Sequence, residues 1–360
     1  MKNNFISSIW QFDEQNYDKI HNIFRWYGKL PPQLVNKLIN LYSNENDKIL
    51  ANFWGSWTIL IESIINKRFC DSYDINPTAI LIWNIKVNSI ETNIDEIIKK
   101  IEIAFKKESN DYSKSFDEYE KKWFNQETLN SIYKIKQIIN DMFKNESIYN
   151  YLMFNLISII RKCSLVDSRC INHIVVDKNK KILEPLEEFF LSIKENFETI
   201  NDFNKSYNNN FGSYKNGDAR EIKSEEWYYD LVISHPPYLW NVNYSNINQL
   251  QNYILWHKYS EIKTRDLSTE SLKLYLDNMY KVIDEMIRVV KKWKKICLII
   301  WDSRKNWDII PTFSYFIKYW IDKWLKLKDI FIWVLKWKAW NSIKRHWNHI
   351  DHNYILIFEK

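Results

Sequence analysis

The chain has 360 residues, 46% of them apolar, and a formal net charge of +6 at pH 7. Its length suits one large α/β domain or a catalytic domain that carries an insertion. No apolar run approaches the roughly 20 residues of a membrane span, no apolar segment follows Met1-Lys2 as in a secretory signal, and the four cysteines form no C-x-x-C pair. These features argue against a membrane protein, a disulfide scaffold and a cysteine-based zinc site, and we expect a soluble, cytoplasmic protein.

The first part of the chain has the order of a nucleotide-binding βαβ unit. Apolar spacing predicts a helix over 33–43, a strand over 49–53 and a helix over 58–67. A second strand over 69–73 ends at Asp74, and a helix follows over 77–87. Strand, tight turn, helix, strand and acidic residue in this order are typical of nucleotide binding.

The sequence pattern changes from alternating strands and helices to helices over 88–209, which indicates an insertion. Helical i, i+3, i+4 spacing is found at 94–107, 126–143 and 182–197, with little strand signal between them. We therefore divide the chain into an N-terminal part of a catalytic domain, 1–87, a helical insertion, 88–209, and a C-terminal part, 210–360. The insertion is the candidate for target recognition, and a structural lid is the alternative.

Regular α/β structure returns after the insertion. The run Asp230–Ser234 predicts a buried strand, followed at once by His235-Pro236-Pro237-Tyr238. Prolines cannot donate to a sheet ladder, so the strand must end there. A helix over 271–290, a strand over 295–300 and a helix over 313–324 follow, and two closing strands at 331–335 and 354–358 are expected to form an antiparallel pair.

Glycine and tryptophan are used in unusual proportions. The chain has 4 Gly and 18 Trp, whereas average glycine usage predicts roughly 25 glycines. Trp57, Trp293 and Trp301 stand where chain geometry favours glycine. We hypothesise that the gene reads UGA as glycine, and that several tryptophans in the printed sequence are glycines in the native protein. A tryptophan-rich protein is the alternative.

The positive charge is concentrated towards the C-terminal end. Between Arg288 and Arg345 there are 15 Lys and Arg against 4 Asp, a sum of +11, which leaves −5 for the remainder. Such a region suits a polyanion such as nucleic acid. A general enrichment in Lys, Asn and Ile would explain it equally well.

Four segments occur in an informative order: Ala51–Thr58, Ser72–Pro77, Asn216–Arg220 and His235–Tyr238. They resemble the motifs of the amino-methyltransferases of DNA, which use S-adenosyl-L-methionine to methylate N4 of cytosine or N6 of adenine. The resemblance covers roughly residues 22–87 and 213–360. It implies a Rossmann-like class I methyltransferase fold, α/β, with a mostly parallel sheet and an inserted helical region.

The resemblance also implies a binding site for S-adenosyl-L-methionine. The first motif, D-P-F-x-G-S-G-T, is changed here, because Ala51-Asn52 replaces Asp-Pro and Trp57 replaces glycine. A glycine turn lets backbone amides approach the cofactor, which an indole would obstruct. An acidic residue after the second strand would accept from the ribose hydroxyls, and another would accept from the adenine amine. The candidate cofactor residues are Phe53, Gly55, Ser56, Trp57, Thr58, Asp74, Asn76 and Asp218.

The tetrapeptide His235–Tyr238 is the candidate catalytic segment. The resemblance implies that the target base is flipped out of the duplex, that Tyr238 stacks on it, and that the carbonyl of Pro236 accepts from its exocyclic amine. The family usually has Asp, Asn or Ser where this chain has His235, whose neutral imidazole can accept a hydrogen bond. Ser234 is a secondary candidate, and Pro237 completes the segment.

These inferences give double-stranded DNA as the partner, together with a candidate restriction endonuclease, and slightly favour cytosine N4 over adenine N6. No metal is expected, because methyl transfer from a sulfonium needs none, and we assign His346, His349 and His352 to a loop near the catalytic face. Two alternatives stay open. One is an RNA base N-methyltransferase, and the other is an inactive nucleic-acid-binding relative.

Overall fold

A computed structural model describes most of the chain. The described residues are 7–12, 17–26, 28–53, Gly55, 57–167, 174–207, 211–239, 248–255, Leu267, 269–305, 308–334 and 352–360. Among them, no helix combines the length and the apolar character that crossing a membrane requires.

Strands and helices alternate at both ends of the chain, and the regular elements that the structure describes between residues 75 and 211 are helices. The strands are β1 Ser8–Trp10, β2 Lys48–Ala51, β3 Phe69–Asp74, β4 Gly212–Asn216, β5 Tyr229–Ser234, β6 Val290–Ile300, β7 Ser303–Lys305, β8 Asp308–Ile310, β9 Lys326–Val334 and β10 His352–Glu359. The helices are α1 Pro32–Tyr42, α2 Thr58–Ile65, α3 Pro77–Lys86, α4 Ile94–Lys107, α5 Glu118–Trp123, α6 Gln126–Phe143, α7 Tyr149–Ile159, α8 Pro185–Ser206, α9 Gln249–Ile254, α10 Leu272–Val289 and α11 Thr312–Asp322.

The main sheet has the strand order β1-β9-β10-β6-β5-β2-β3-β4. Strands β4, β3, β2, β5 and β6 are parallel, whereas β10 is antiparallel to both β6 and β9. The predicted Rossmann-like class I methyltransferase fold, with its mostly parallel sheet and inserted helices, is confirmed. The predicted closing antiparallel pair is confirmed as well.

The sheet separates two hydrophobic clusters. Helices α1, α2 and α3 and the insertion helices cover one face, where Ala51 of β2 and Ile233 of β5 are buried. Helices α10 and α11 cover the other face, where Leu50 and Val232 are buried. The connections therefore change face between β2 and β5, and this boundary is the topological switch point at which open α/β sheets bind ligands.

Helix starts follow local chemistry. Pro77 is the first residue of α3, where its missing N–H costs nothing, and the Asn76 side chain accepts from Thr78 N at 3.0 Å. Asp117 and Glu120 form a capping box at α5. Trp57 precedes α2 in a left-handed conformation, without a side-chain cap.

The insertion helices share a core with the rest of the chain. Helix α7 packs against α3, α6 and α8, and its Asn155 accepts from Ser192 and Asn196 of α8 at 2.8 Å each. Buried residues of α4, α6, α7 and α8 belong to the same cluster as those of α1 and α2. The insertion is therefore anchored to one face of the sheet.

Four strands were missed by the sequence analysis, namely β1, β4, β7 and β8, and both β6 and β9 begin five residues earlier than predicted. β1 pairs in parallel with β9 at the sheet edge, and β4 pairs with β3. β4 contains Gly212, Ser213 and Lys215 and lacks alternating apolar residues, so its pairing partner decides its conformation. β6 begins at Val290 rather than at residue 295.

Candidate functional site

The turn after β2 lies at the switch point. Gly55 has φ +36°, and its N–H donates to Asp74 Oδ2 at 3.0 Å. A Cβ atom on Gly55 would lie 2.7 Å from Trp26 Nε1, a separation that side chains do not tolerate. Close packing and the left-handed conformation both demand glycine here. Ser56 lies outside the described residues.

Trp57 occupies a position with glycine geometry. Its φ of 59° and ψ of 10° are left-handed, yet its indole is 1% exposed. The ring lies 5.1 Å from that of Trp26, edge to face, and Lys86 Nζ lies 5.0 Å from its centroid. An indole therefore fills space directly behind the turn. The neighbouring Thr58 is buried and donates to Leu30 O at 3.3 Å.

The acidic residue that ends β3 holds the turn in place. Besides accepting from Gly55, Asp74 accepts from Asn76 N through Oδ1 at 2.8 Å. Its carboxylate is half-buried at the carboxyl end of the strand next to β2. Asp74 therefore has a structural role in addition to the ribose contact predicted for it.

Asp218 lies beside this group. Gly217 N donates to the backbone oxygen of Asp74 at 3.2 Å, and a Cβ on Gly217 would come within 2.7 Å of the Tyr73 ring. The Asp218 carboxylate accepts from Arg220 Nε at 3.0 Å and from Arg220 Nη2 at 2.6 Å. The second and third motifs are thus brought together, and Arg220 orients the carboxylate.

The tetrapeptide follows β5 at the same sheet edge. His235 Nε2 lies 2.5 Å from the Tyr238 hydroxyl, and that hydroxyl donates to Asn353 Oδ1 at 3.2 Å. The Pro237 carbonyl accepts from the Tyr275 hydroxyl at 3.0 Å. Pro236 is buried. Contacts from α10 and β10 therefore fix the segment.

Burial controls the chemistry of two of these side chains. Desolvation lowers the pKa of His235 to about 4, because an apolar environment disfavours the imidazolium. Its ring is therefore neutral at physiological pH. Tyr238 is 8% exposed and its ring lies 5.7 Å from that of Trp301, so a base could stack on it only by displacing a neighbour.

Ser234 ends β5 and is fully buried. Its Oγ has no hydrogen-bond partner among the described residues. Phe53, in the turn after β2, is half-buried and packs against the second cluster. All the predicted site residues that the structure describes therefore lie at the carboxyl ends of β2 to β5 or in the segments that follow these strands.

Asp302, after β6, is buried and near the tetrapeptide in the fold. Burial raises its pKa, and its carboxylate accepts from Thr312 Oγ1 and Phe313 N at 3.4 Å each. These contacts are at the start of α11. Asp302 therefore stabilises the first turn of α11.

Sequence reasoning missed Trp26, Tyr275 and Asn353. None belongs to a short motif, and each meets the site only through tertiary packing. The one available signal was the position of Asn353 immediately before the predicted strand 354–358.

Of the three predicted loop histidines, His346 and His349 lie outside the described residues. His352 begins β10. Within the described part of the chain, no group of three or more His, Cys, Asp or Glu side chains could hold a metal ion.

No protein-family model matches the chain, and no curated protein matches it by sequence. Solved structures do match. A Thermus thermophilus protein described as a DNA modification methylase, solved with S-adenosyl-L-methionine, is 17% identical with a TM-score of 0.28, over 40% of this chain and 53% of that chain. A SAM-dependent methyltransferase from Methanosarcina mazei is 9% identical with a TM-score of 0.37, over 90% and 96% of the two chains.

TrmN from Thermus thermophilus is 9% identical with a TM-score of 0.33, over 92% of this chain and 50% of that chain. The match thus spans about half the length of the Thermus methylase and of TrmN. At these identities the likeness concerns the fold, which the strand order defines independently.

Proposed function

We propose that this protein is an S-adenosyl-L-methionine-dependent methyltransferase that acts on an exocyclic amine of a DNA base. The observation that carries the proposal is the convergence of the Gly55 turn, Asp74, Asp218 and His235–Tyr238 at one edge of the sheet. Cytosine N4 is slightly favoured over adenine N6.

The cofactor residues fit their ligand in donors and acceptors. Asp74 would accept hydrogen bonds from the ribose hydroxyls, and Asp218 would accept from the adenine amine. Phe53 would form one wall of the pocket. The half-buried carboxylates suit neutral hydroxyl and amine donors. Gly55 and Thr58 belong to the turn and the start of α2, Ser56 stays a predicted cofactor residue, and Asn76 caps α3 directly after Asp74. When bound, the cofactor supplies an electrophilic methyl group.

The tetrapeptide provides acceptors for the target amine. A phenol has one proton, so the Tyr238 hydroxyl that donates to Asn353 accepts from His235 Nε2–H. The neutral imidazole then carries its lone pair on Nδ1. That nitrogen and the carbonyl of Pro236 would accept the two amine hydrogens, which directs the nitrogen lone pair towards the methyl group.

The residue at position 57 decides whether the turn can bind the cofactor. We propose that UGA codons of this gene encode glycine, with residue 57 among them. Six non-glycine residues in the described part of the chain have positive φ, and four of these are tryptophans: Trp57, Trp227, Trp293 and Trp324. An indole gains nothing from this conformation, whereas glycine adopts it without strain.

The end of α11 supports the glycine assignment at a second site. Leu325 N donates to Trp320 O at 3.1 Å, and Trp324 N donates to Ile321 O at 2.9 Å. This is the Schellman pattern, whose left-handed residue is usually glycine. Trp324 holds that position with its side chain 95% exposed. Trp301, also suspected from the sequence, does not have positive φ.

Mass spectrometry of the native peptide spanning residues 52–62 tests the glycine proposal directly. A glycine residue mass at position 57 is expected, and an indole mass there would refute it. The same digest should show glycine at 324 and tryptophan at 320, which is buried within α11 and serves as the internal control.

Transfer of a radiolabelled methyl group tests the function. The chain in its Trp57 and Trp57→Gly forms is given unmethylated DNA or total RNA, and the product nucleosides are separated. We expect label in N4-methylcytosine from DNA, and only with glycine at 57. Asp74→Asn should abolish labelling, while Asp95→Asn, an exposed carboxylate on α4, should not.

The other outcomes are equally informative. Label in RNA alone would identify an RNA base methyltransferase. No label together with no cofactor binding would identify an inactive relative. The insertion, as target-recognition region, and a restriction endonuclease partner remain part of the proposal, and the first is tested by the sequence context of the methylated bases.

A further inference from the structure

Two buried polar side chains at the switch point have no hydrogen-bond partner among the described residues. They are Asn52, 1% exposed, and Ser234, fully buried. Both the amide nitrogen and the amide oxygen of Asn52 are without partners, as is the hydroxyl of Ser234. Buried polar groups in folded proteins are normally paired, so three orphaned atoms in one place need an explanation.

The two residues are neighbours. Ala51 of β2 lies opposite Ile233 of β5, so Asn52 and Ser234 come next on adjacent strands, whose backbones are about 4.8 Å apart. Side chains alternate along a strand. Both residues therefore lie on the side of the sheet where Leu50 and Val232 are buried, between the Gly55 turn and the tetrapeptide.

The fold does not require an amide here. In the motif that this segment resembles, proline stands at the position of Asn52, and proline has no polar side chain. Leaving a donor and an acceptor buried and unpaired destabilises the fold. Asn52 is therefore understandable if a ligand supplies the missing partners.

The orphaned atoms define the chemistry of that ligand. The amide offers one acceptor and two N–H donors, and a hydroxyl can do both. The amine hydrogens of a target base are already assigned to His235 Nδ1 and the Pro236 carbonyl, so the base is not the partner that Asn52 and Ser234 lack. A zwitterionic α-amino acid offers an ammonium donor and a carboxylate acceptor, and so matches the set.

We propose that Asn52 and Ser234 bind the amino-acid end of S-adenosyl-L-methionine, with the Asn52 amide oxygen on the ammonium, and the amide nitrogen and the Ser234 hydroxyl on the carboxylate. This inference rests on the proposed function. It adds a pair of cofactor contacts in place of the Asp-Pro of the motif.

A cofactor analogue that lacks the amino-acid end tests the proposed contacts of Asn52 and Ser234. Calorimetry compares S-adenosylhomocysteine, which has the amino-acid end, with 5′-methylthioadenosine, which lacks it, on the full chain in its Trp57 and Trp57→Gly forms. Asn52→Ala should weaken S-adenosylhomocysteine at least about tenfold and leave methylthioadenosine unchanged. Ser234→Ala should act in the same direction and keeps the test valid if Asn52→Ala does not fold.

Ser63→Ala is the matched control, because Ser63 is fully buried but its hydroxyl donates to Ile59 O at 2.7 Å. It should change neither affinity. Equal weakening of both ligands by Asn52→Ala, or no weakening of either, would overturn this inference and leave the proposed function intact. If neither ligand binds the chain with tryptophan at position 57 or the chain with glycine there, this inference and the proposed function are both wrong.

Discussion

The hydroxyl of Tyr238 donates to the side-chain oxygen of Asn353, 3.2 Å away. This bond joins the segment after β5 to β10, the antiparallel strand two places along the sheet. Because Asn353 is 1% exposed, the bond is shielded from water. The ring orientation of Tyr238 is therefore set by a strand far from it in sequence.

This relationship separates two roles of Tyr238. Tyr238→Phe keeps the aromatic face and loses the anchor, so we expect a reduced rate with nearly unchanged DNA affinity. Tyr238→Ala loses the stacking surface, which is worth about 1 to 3 kcal/mol per base, so DNA should bind roughly ten- to a hundredfold more weakly. Equilibrium binding and single-turnover rates distinguish the two, and equal effects of both variants on affinity would contradict the assignment.

The low pKa of His235 predicts a flat pH profile. With a pKa of about 4, the imidazole is neutral from roughly pH 5.5 to 8, and its acceptor nitrogen stays available throughout. The rate of methyl transfer should show no inflection that belongs to this residue in that range. An inflection near the ordinary histidine pKa of about 6.5 that disappears in His235→Asn would mean that the imidazole titrates normally.

Replacing Trp324 with glycine should stabilise the chain that carries tryptophan there. The left-handed conformation costs a non-glycine residue about 1 kcal/mol or more, and an exposed indole offers little packing in return. Urea denaturation of Trp324→Gly should show a gain of about 1 kcal/mol. In the same helix, Trp320→Ala should instead lose about 3 to 5 kcal/mol, because Trp320 is fully buried. A destabilised Trp324→Gly would count against the glycine geometry.

Glu62 on α2 makes stability depend on pH. It lies 2.8 Å from His21 Nε2 and accepts from Asn36 Nδ2 at 3.1 Å, and burial raises its pKa from 4.5 to about 7. Between these two values the unfolded chain has lost the proton that the folded chain keeps, so the free energy of unfolding falls as pH rises. Above pH 7 the Glu62 carboxylate is ionised in the folded chain as well, and the full loss in free energy of unfolding is present.

Glu62→Gln carries no charge at any pH and isolates this contribution. Relative to wild type, the variant should gain about 3 kcal/mol in free energy of unfolding between about pH 4.5 and pH 7.5. Burial also holds the pKa of His21 well below its usual value. Because His21 contacts Glu62, the same comparison in a His21→Gln background separates the two contributions. A difference that stays constant across this range would show that Glu62 is ionised throughout.

Most elements near the site could be predicted because their signals are local. The apolar run Asp230–Ser234 followed by two prolines indicated the end of β5, and Gly55 with Asp74 indicated the turn and the following strand. β4 and β1 could not be predicted, because neither carries an apolar pattern of its own and each is defined by its neighbour in the sheet.

The sequence by itself determined most of the strands and helices and their order, the glycine deficit, and the chemical types of the residues at the candidate site. Tertiary structure alone decided that Asn52 and Ser234 come next after paired residues of neighbouring strands, that Tyr238 is anchored by Asn353, and that four tryptophans have left-handed backbones. The physical reason is that helix and turn signals depend on residues a few positions apart, whereas these relationships depend on which strands pair and on what surrounds each side chain after burial.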